Sequence, residues 1–320
     1  MDTLEYIATK IDTIEFPKRK ALSSRYPQLK GPILALKRAY YSLGYSLGTA
    51  SANKHSDRFF PAIIARGSSV LMRKLGDSDL ELQKQKITNL KLAAEKLNGL
   101  IIEPGATFSF WNTLGNPSLK NGYVEGMLLS EGKVVRGVGG GLCQMSNLLF
   151  WMFLHAPVEI VERFHHSRDS FPDSGRTLPF GSGATVFYNL IDLKIKNTSD
   201  QPIQLKIWLT DTQLKGQILA PMPEKQKFHI HEKDHSFIKK GEKYYRYNEL
   251  WRDVLVKGTL IESKKIYTNF APIMYEVDEK YITERNIQLI DLDLENKKEN
   301  KNNLEENKSI GYPHLITVGT

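Results

Sequence analysis

The residue of this chain with the clearest potential for covalent chemistry is its single cysteine. Cys143 follows three consecutive glycines, Gly139, Gly140 and Gly141, and opens an apolar segment of helical composition. At a helix N-terminus the unpaired N–H groups and the helix dipole lower the pKa of a thiol, which favours the nucleophilic thiolate. Consecutive glycines also permit a tight turn or a close approach between backbones. The pattern therefore predicts a nucleophile, a turn that holds an anion, or a turn that serves packing alone.

Two residues farther along the chain complete a catalytic hypothesis. His166 follows the predicted cysteine helix in a strand-like segment, and Asp192 lies in a later one. In this hypothesis Cys143 attacks, His166 acts as the base, Asp192 orients the imidazole, and the N–H groups of the glycine turn stabilise an oxyanion. A helix with the cysteine, a strand with the histidine and a strand with the aspartate follow one another along the chain, as in transglutaminase-like cysteine enzymes. The similarity is confined to this order. The alternative is an inert cysteine that packs beside the glycines.

The glycine turn is also the centre of a predicted ligand site. Glycine-rich backbone at a helix N-terminus can hold an anion. The turn is not a P-loop, because no Gly-Lys-Ser/Thr sequence follows it, and no βαβ pattern surrounds it as in dinucleotide-binding proteins. The predicted ligand-binding residues belong to this turn, follow it directly or carry aromatic rings, and they are Gly139, Gly140, Gly141, Gln144, Ser146, Phe108 and Trp111, with Phe110 and Tyr123 beside them.

Three histidines close together in the sequence raise the question of a metal site. His229, His231 and His235 lie in a segment with Glu232 and Asp234, and the first two would share one face of a strand. The segment is hydrophilic throughout, as expected of an exposed hairpin. A zinc site built from the three candidate catalytic residues is also chemically conceivable. We predict no metal site and no cofactor.

Composition limits the class of protein. The chain has 320 residues, 41% of them hydrophobic and 25% charged, which is ordinary for a globular protein with a sizeable core. One cysteine excludes a disulfide within the chain and a metal site made of several cysteines. Residues 1–20 lack the apolar core of a signal peptide, and the longest apolar run, 148–154, is too short to span a membrane. These features predict a cytoplasmic protein.

The basic residues are concentrated near the N-terminus. The net charge is +8, and residues 1–74 account for an excess of eight basic over acidic residues. Motifs for stacking nucleic-acid bases are absent, so nucleic acid is not a predicted partner. A solvated basic face is one interpretation, and the other is peripheral contact with an anionic membrane. The residues of that membrane contact would be Lys18, Arg19, Lys20, Lys37 and Arg38.

Periodicity predicts the elements that position these residues. Helices are predicted over 32–44, over 79–97 and over 142–155, where Leu148, Phe150, Trp151 and Phe153 cover every side and indicate a buried helix. A short strand is predicted over 107–111. Beyond residue 183 the period changes from helical to alternating, which predicts strands over 184–188, 190–195, 203–209 and 214–219.

The predicted fold is α+β, with a helical N-terminal part, a mixed core and a β-rich C-terminal region. The mixed core contains the glycine-rich turn and the buried helix that carries the cysteine. The predicted organisation is a basic helical region over 1–77, a core over 78–220, a β-rich region over 221–285 and a mostly disordered tail over 286–320. The low-complexity charged run at 296–308 motivates the predicted disorder of the tail.

Long motifs of this chain resemble the VanW family. They comprise the runs at 89–100, 104–111 and 139–155, together with 161–163, His166 and 191–194. The resemblance covers about residues 20–220 and marks the core as VanW-like. The family is named for a protein encoded with a vancomycin-resistance cluster, and its biochemical activity is not established. Many relatives are exported with envelope-binding modules, whereas this chain resembles the short, unexported form.

One position departs from the pattern of the family. Gly183 stands where the family has an aspartate, which leaves Asp192 as the candidate acid. The resemblance implies a role in glycopeptide resistance or cell-wall metabolism, with a wall precursor or another small molecule as the partner. Two hypotheses follow from it. One is cysteine-dependent acyl transfer or amide cleavage, and the other is a non-catalytic accessory or ligand-binding protein.

Overall fold

The computed structural model describes residues 3–15, 32–33, 36, 52–72, 80–130, 133–173 and 177–294. Its helices are α1 (Thr3–Glu15), α2 (Leu80–Leu97), α3 (Phe110–Leu114), α4 (Leu142–Leu154) and α5 (Glu279–Glu284). Its strands are β1 (Lys54–His55), β2 (Ala62–Val70), β3 (Leu100–Ile102), β4 (Thr107–Ser109), β5 (Glu125–Ser130), β6 (Lys133–Val138), β7 (Val158–Glu162), β8 (Lys194–Asn197), β9 (Ile203–Leu209), β10 (Gln213–Ala220), β11 (Gln226–Lys240), β12 (Lys243–Val256), β13 (Thr259–Pro272) and β14 (Gln288–Asp291). This mixture confirms the predicted α+β class and the β-rich C-terminal region.

The largest sheet carries the cysteine helix on one face. Its antiparallel strands follow the order β1-β3-β9-β10-β2. Gly67 of β2 lies opposite Gly216 of β10, and α4 crosses this pair. A Cβ atom on Gly67 would lie 2.8 Å from Leu148 Cδ1, and one on Gly216 would lie 2.6 Å from Met152 Cε. The two glycines therefore allow the helix to approach the sheet closely.

The helix α4 forms the centre of the main core. Leu148, Phe150 and Phe153 are buried as predicted, with no more than 4% of each exposed. Trp151 differs, because it is only partly buried. Its ring meets that of His155 edge to face at a centroid distance of 4.7 Å. The four large side chains are thus mostly buried, as predicted.

Two small sheets flank the core. One has the order β4-β8-β7 and the other is the hairpin β5-β6. The strand predicted over 107–111 ends two residues earlier, at Ser109, and α3 begins at Phe110. Ser109 caps this helix, because its side-chain oxygen accepts a hydrogen bond from Asn112 N at 3.1 Å. A serine at this position therefore converts the end of a strand into the start of a helix.

The C-terminal sheet has the order β13-β12-β11-β14, in which β14 pairs with β11 in parallel. The helix α1 packs on this sheet. Ile7 and Ile11 are fully buried and share a cluster with Tyr245, Tyr247 and other side chains of the sheet. Residues 3–15 of the predicted region 1–77 thus share a core with the C-terminal sheet, whereas β1 and β2 of the same region belong to the main sheet. The strand β14 of the region 286–320 also belongs to the C-terminal sheet.

Several predictions concern residues outside the described ranges. These are most of the helix predicted over 32–44, all five basic residues of the proposed membrane contact, and the charged run at 296–308. Within the described ranges, none of the helices combines the length and apolar character needed to cross a bilayer.

Candidate functional site

A cavity of about 1090 Å³ opens at the start of α4. One wall is formed by residues 66–70 of β2 and by neighbouring residues of β10. Facing residues come from α4, among them Cys143, Gln144 and Asn147, and from the segments 165–172 and 177–183. A concave site of this size can enclose a small-molecule or short peptide ligand.

The glycine turn brings two backbones into contact beside this cavity. A Cβ atom on Gly140 would lie 2.1 Å from the carbonyl carbon of Gly126 in β5. Asn89 of α2 holds the turn from the other side, with Nδ2 donating to Gly140 O at 2.9 Å and to Val124 O at 3.0 Å. Gly141 is the N-cap of α4, with φ at +94°. The glycines thus serve a backbone approach that no larger residue permits.

The N–H groups of the turn are committed to hydrogen bonds within the fold. Each glycine donates to a backbone carbonyl, and these bonds are Gly139 N to Val124 O at 3.0 Å, Gly140 N to Gly137 O at 3.1 Å and Gly141 N to Met127 O at 2.9 Å. An oxyanion hole needs donors directed at the reacting group. The predicted oxyanion hole at the glycines is therefore not formed.

Cys143 and His166 both line the cavity, as a shared site requires. The thiol of Cys143 donates to Val186 O at 3.7 Å, and burial raises its pKa. Burial, together with His165 and Arg163, lowers the pKa of His166 to about 4. Both groups are therefore neutral near pH 7, whereas the position of Cys143 at a helix start led us to expect a lowered thiol pKa.

Asp192 has a structural position instead of the predicted orienting role. Its carboxylate is 1% exposed. Its Oδ2 accepts from Ser109 Oγ at 2.6 Å, and its Oδ1 accepts from Trp111 N at 3.1 Å and Leu193 N at 2.9 Å. These bonds satisfy the start of α3, where backbone N–H groups lack partners within the helix. Asp192 thus fixes the junction between β4 and α3.

The negative charge of Asp169 raises the pKa of His166, which partly offsets the lowering by burial. Asp169 itself belongs to a buried cluster with the C-terminal sheet. Its Oδ2 lies 3.3 Å from Arg246 Nη1 and accepts from Tyr275 Oη at 3.0 Å. Arg246 also pairs with Asp173 through Nη1 at 2.9 Å. The C-terminal sheet therefore holds one wall of the cavity.

A second arginine fixes the neighbouring wall. Arg163 lies between the rings of Phe150 and Tyr267, with centroid distances of 4.9 and 4.5 Å. Its Nε donates to Gly183 O at 2.9 Å and its Nη2 donates to Gly181 O. Burial lowers the pKa of Arg163 to about 10, so the side chain remains charged at neutral pH.

The other predicted ligand residues divide into two groups. Gln144 lines the cavity, whereas Ser146 is buried and donates to Ala184 O at 2.6 Å. Phe108 and Trp111 belong to the main core and not to the cavity wall, as do the two aromatic residues placed beside them, Phe110 and Tyr123. The aromatic residues that line the cavity are Trp151, Phe171, Phe180 and Trp208.

The sequence interpretation also missed the basic side chains of the cavity. These are Arg66, Lys86, Arg168 and Lys215. Arg66 belongs to the basic N-terminal region 1–74, whose excess charge does not distinguish it from the other basic residues there. The sequence Arg66-Gly67-Ser68-Ser69-Val70 does not alternate between polar and apolar residues, so periodicity gave no signal for this strand.

The histidine-rich segment forms part of β11. His231 Nδ1 lies 3.5 Å from Asp253 Oδ2, and His235 Nε2 accepts from Arg246 Nε at 2.9 Å. Among the described residues, no group of three or more His, Cys, Asp and Glu is arranged to hold a metal ion.

Gly183 is accommodated by a neighbour on α4. A Cβ atom at this position would lie 2.6 Å from Asn147 Oδ1. The same oxygen accepts from Ala184 N at 2.7 Å. A larger side chain at residue 183 would therefore have to displace the amide of Asn147.

Comparison with known proteins identifies one relative over most of the chain and a second over part of it. The family model described as VanW like protein matches residues 85–219. The chain is 33% identical over 264 residues to the vancomycin B-type resistance protein VanW of Enterococcus faecalis, covering 82% of this chain and 96% of that protein. It is also 33% identical over 123 residues to the uncharacterized protein YoaR of Bacillus subtilis, covering 38% of this chain and 39% of that protein. No solved structure matches the chain. The chain belongs to the VanW family.

Proposed function

We propose that this protein is a non-catalytic binding protein whose cavity holds an anionic cell-wall precursor. The observation that carries the proposal is the chemistry of the cavity wall, which combines basic and aromatic side chains around a volume of about 1090 Å³. Basic groups bind carboxylates and phosphates, and aromatic faces bind the apolar sides of sugars and peptides. The relative named as a vancomycin resistance protein supports a ligand from cell-wall synthesis.

The state of the thiol favours binding over catalysis. A cysteine nucleophile works as the thiolate beside a base that has taken its proton. Here burial raises the pKa of Cys143, and the thiol donates to a backbone carbonyl. The N–H groups of the three glycines are also occupied. The geometry thus supports a role for Cys143 in the wall of a binding site.

Calorimetric titration with UDP-N-acetylmuramyl-pentapeptide, the nucleotide-linked precursor of peptidoglycan, tests the proposal. We expect binding by the wild type and about a tenfold loss of affinity in Arg66→Ala, because a charged contact in a cavity contributes at least about 1.4 kcal/mol. Lys120→Ala removes an exposed cation outside the cavity wall and is the matched control.

Two results would overturn the proposal. The first is the absence of precursor binding, or an equal loss of affinity in Arg66→Ala and Lys120→Ala. The second is turnover of the precursor by the wild type but not by Cys143→Ser, followed by mass spectrometry. Turnover of that kind would establish the cysteine-dependent acyl-transfer or amide-cleaving hypothesis.

A further inference from the structure

The strand β2 forms an open edge of the main sheet inside the cavity. It pairs with β10 on one side. On its other side, no strand among the described residues pairs with it. Arg66, Ser68 and Val70 are exposed, and all three line the cavity. An exposed strand edge presents a row of backbone donors and acceptors to any extended chain that enters.

The direction of these backbone groups follows from the pairing with β10. Leu71 N donates to Thr212 O at 2.9 Å, directly beyond the end of β2. In an antiparallel pair, successive residues alternate between pointing toward the partner strand and away from it. The N–H and C=O groups of Val70, Ser68 and Arg66 therefore point away from β10 and toward the cavity. The irregularity in the pairing lies at Ile218/Leu219, beyond this stretch.

A donor already occupies one end of this edge. The side-chain amide of Gln144, on α4, donates through Nε2 to Val70 O at 2.8 Å. It also donates to Ser69 Oγ at 2.9 Å. An amide thus binds at the position where the N–H of an added strand would lie. Ser68 and Arg66 offer the next main-chain groups along the same edge.

The charge beside the edge indicates the polarity of the ligand. Ser68 lies opposite Lys215, and Arg66 lies opposite Gln217, so that Arg66 and Lys215 are diagonal neighbours on one face. Neither cation forms an ion pair with a described carboxylate. The carboxylate of Asp169 in the same cavity pairs with Arg246. A ligand carboxylate would therefore complement this corner of the cavity.

We propose that β2 binds an extended peptide with a free C-terminal carboxylate, which adds to the main sheet as a further strand. Its main chain pairs with Ser68 and Arg66, and its carboxylate lies beside Arg66 and Lys215. The stretch from Arg66 to Val70 spans about 13 Å, which suits a peptide of about five residues. Strand addition of this kind obtains affinity from backbone hydrogen bonds. The inference rests on the proposed function, since it names the peptide part of the precursor as the recognised part.

Two variants at one residue test the backbone contact. Ser68→Pro removes the outward N–H, and an edge position whose N–H faces away from the sheet tolerates proline. Ser68→Ala keeps the N–H and removes only the hydroxyl. The probe is the free pentapeptide of the wall precursor, measured by calorimetry. We expect at least a tenfold weaker binding by Ser68→Pro than by Ser68→Ala, with both variants retaining the thermal unfolding midpoint of the wild type within a few degrees.

Modified peptides provide the complementary measurement, which does not depend on the folding of a variant. N-methylation of alternate residues removes the N–H groups that would face β2, and we expect one of the two alternate sets to abolish binding and the other to preserve it. Amidation of the C-terminus should weaken binding at least tenfold in the wild type and much less in a variant that combines Arg66→Ala and Lys215→Ala.

The outcomes separate this inference from the proposed function. If the nucleotide-linked precursor binds but neither Ser68→Pro nor either set of N-methyl groups weakens binding, the strand-addition inference is overturned and the proposed function stands. If the precursor does not bind, the proposed function falls. Failure of the wild type to bind the free pentapeptide overturns the inference directly.

Discussion

Arg246 Nη1 lies 3.3 Å from Asp169 Oδ2, and both side chains are almost completely buried, at 2% and 4% exposure. The arginine belongs to β12 of the C-terminal sheet, whereas the aspartate follows the two histidines in the cavity wall. The pair therefore joins a sheet that takes no direct part in the cavity lining to the surface that a ligand would contact. The C-terminal sheet acts as the support of the binding site.

Replacement of Arg246 should destabilise the fold. Arg246→Met removes the buried cation that pairs with Asp169 and Asp173, and we expect a loss of about 3–5 kcal/mol in the free energy of unfolding. Lys54→Met breaks an exposed pair with Glu103 and should cost less than about 1 kcal/mol. Denaturation in urea measures both changes. Equal losses in the two variants would contradict the supporting role of Arg246.

His166 should make stability depend on pH in the acidic range. Burial lowers its pKa in the folded protein to about 4, from 6.5 for an ordinary histidine. Between these values the unfolded chain binds more protons than the folded protein, so stability falls as the pH decreases from about 6.5 to about 4. The shift corresponds to about 3 kcal/mol at most.

The free energy of unfolding should fall less between pH 7.5 and pH 4.5 in His166→Gln than in the wild type. His55→Gln, at an exposed site, is the control and should retain the acidic loss of the wild type. A pH dependence that is identical in His166→Gln and the wild type would show that His166 does not bind a proton on unfolding.

Cys143 should react as a neutral, partly buried thiol. Because burial raises its pKa, we expect alkylation by iodoacetamide at pH 6.5 to be slower than that of a free cysteine. His166→Ala should leave the rate unchanged, and unfolding in urea should raise it to the rate of the free thiol. The time course is followed by mass spectrometry on a dialysed sample, so that no bound ligand covers the cavity. A faster reaction than that of free cysteine, slowed by His166→Ala, would restore the nucleophile hypothesis.

The fit between Gly183 and Asn147 can be tested by a double-mutant cycle. Gly183→Asp places a Cβ atom 2.6 Å from Asn147 Oδ1 and should destabilise the fold by about 1–3 kcal/mol. Asn147→Gly removes the obstructing side chain. This change also destabilises α4, because it places a glycine within the helix, and it removes the hydrogen bond from Ala184 N. The two changes should therefore be less damaging together than the sum of the single effects. Strict additivity in thermal unfolding would show that the two residues do not interact.

Local patterns in the sequence were sufficient for the elements that organise the core. The apolar run after Cys143 predicted a buried helix, and Leu148, Phe150 and Phe153 are buried. The helix predicted over 79–97 is observed at Leu80–Leu97. The strand predicted over 203–209 is observed at Ile203–Leu209. Periodicity succeeds in these cases because each element buries one face or its whole surface.

The roles of the site residues depended on contacts between distant parts of the chain. Asp192 resembled an orienting carboxylate, but its partner Ser109 lies 83 residues earlier, and nothing near Asp192 in the sequence indicates that contact. The glycine turn was recognised, yet its purpose depends on Gly126 in another strand. Arg66 became a candidate only when the strand order placed β2 at an edge.

The packing of α1 on the C-terminal sheet has a consequence for synthesis on the ribosome. Ile7 and Ile11 emerge from the ribosome more than 200 residues before their partners Tyr245 and Tyr247. Until then the apolar face of α1 has no native surface to cover it, and closing contacts so distant in sequence is slow. Exposed apolar surface of this kind attracts chaperones and promotes aggregation. The helix α1 can therefore reach its native position only after β12 has been synthesised.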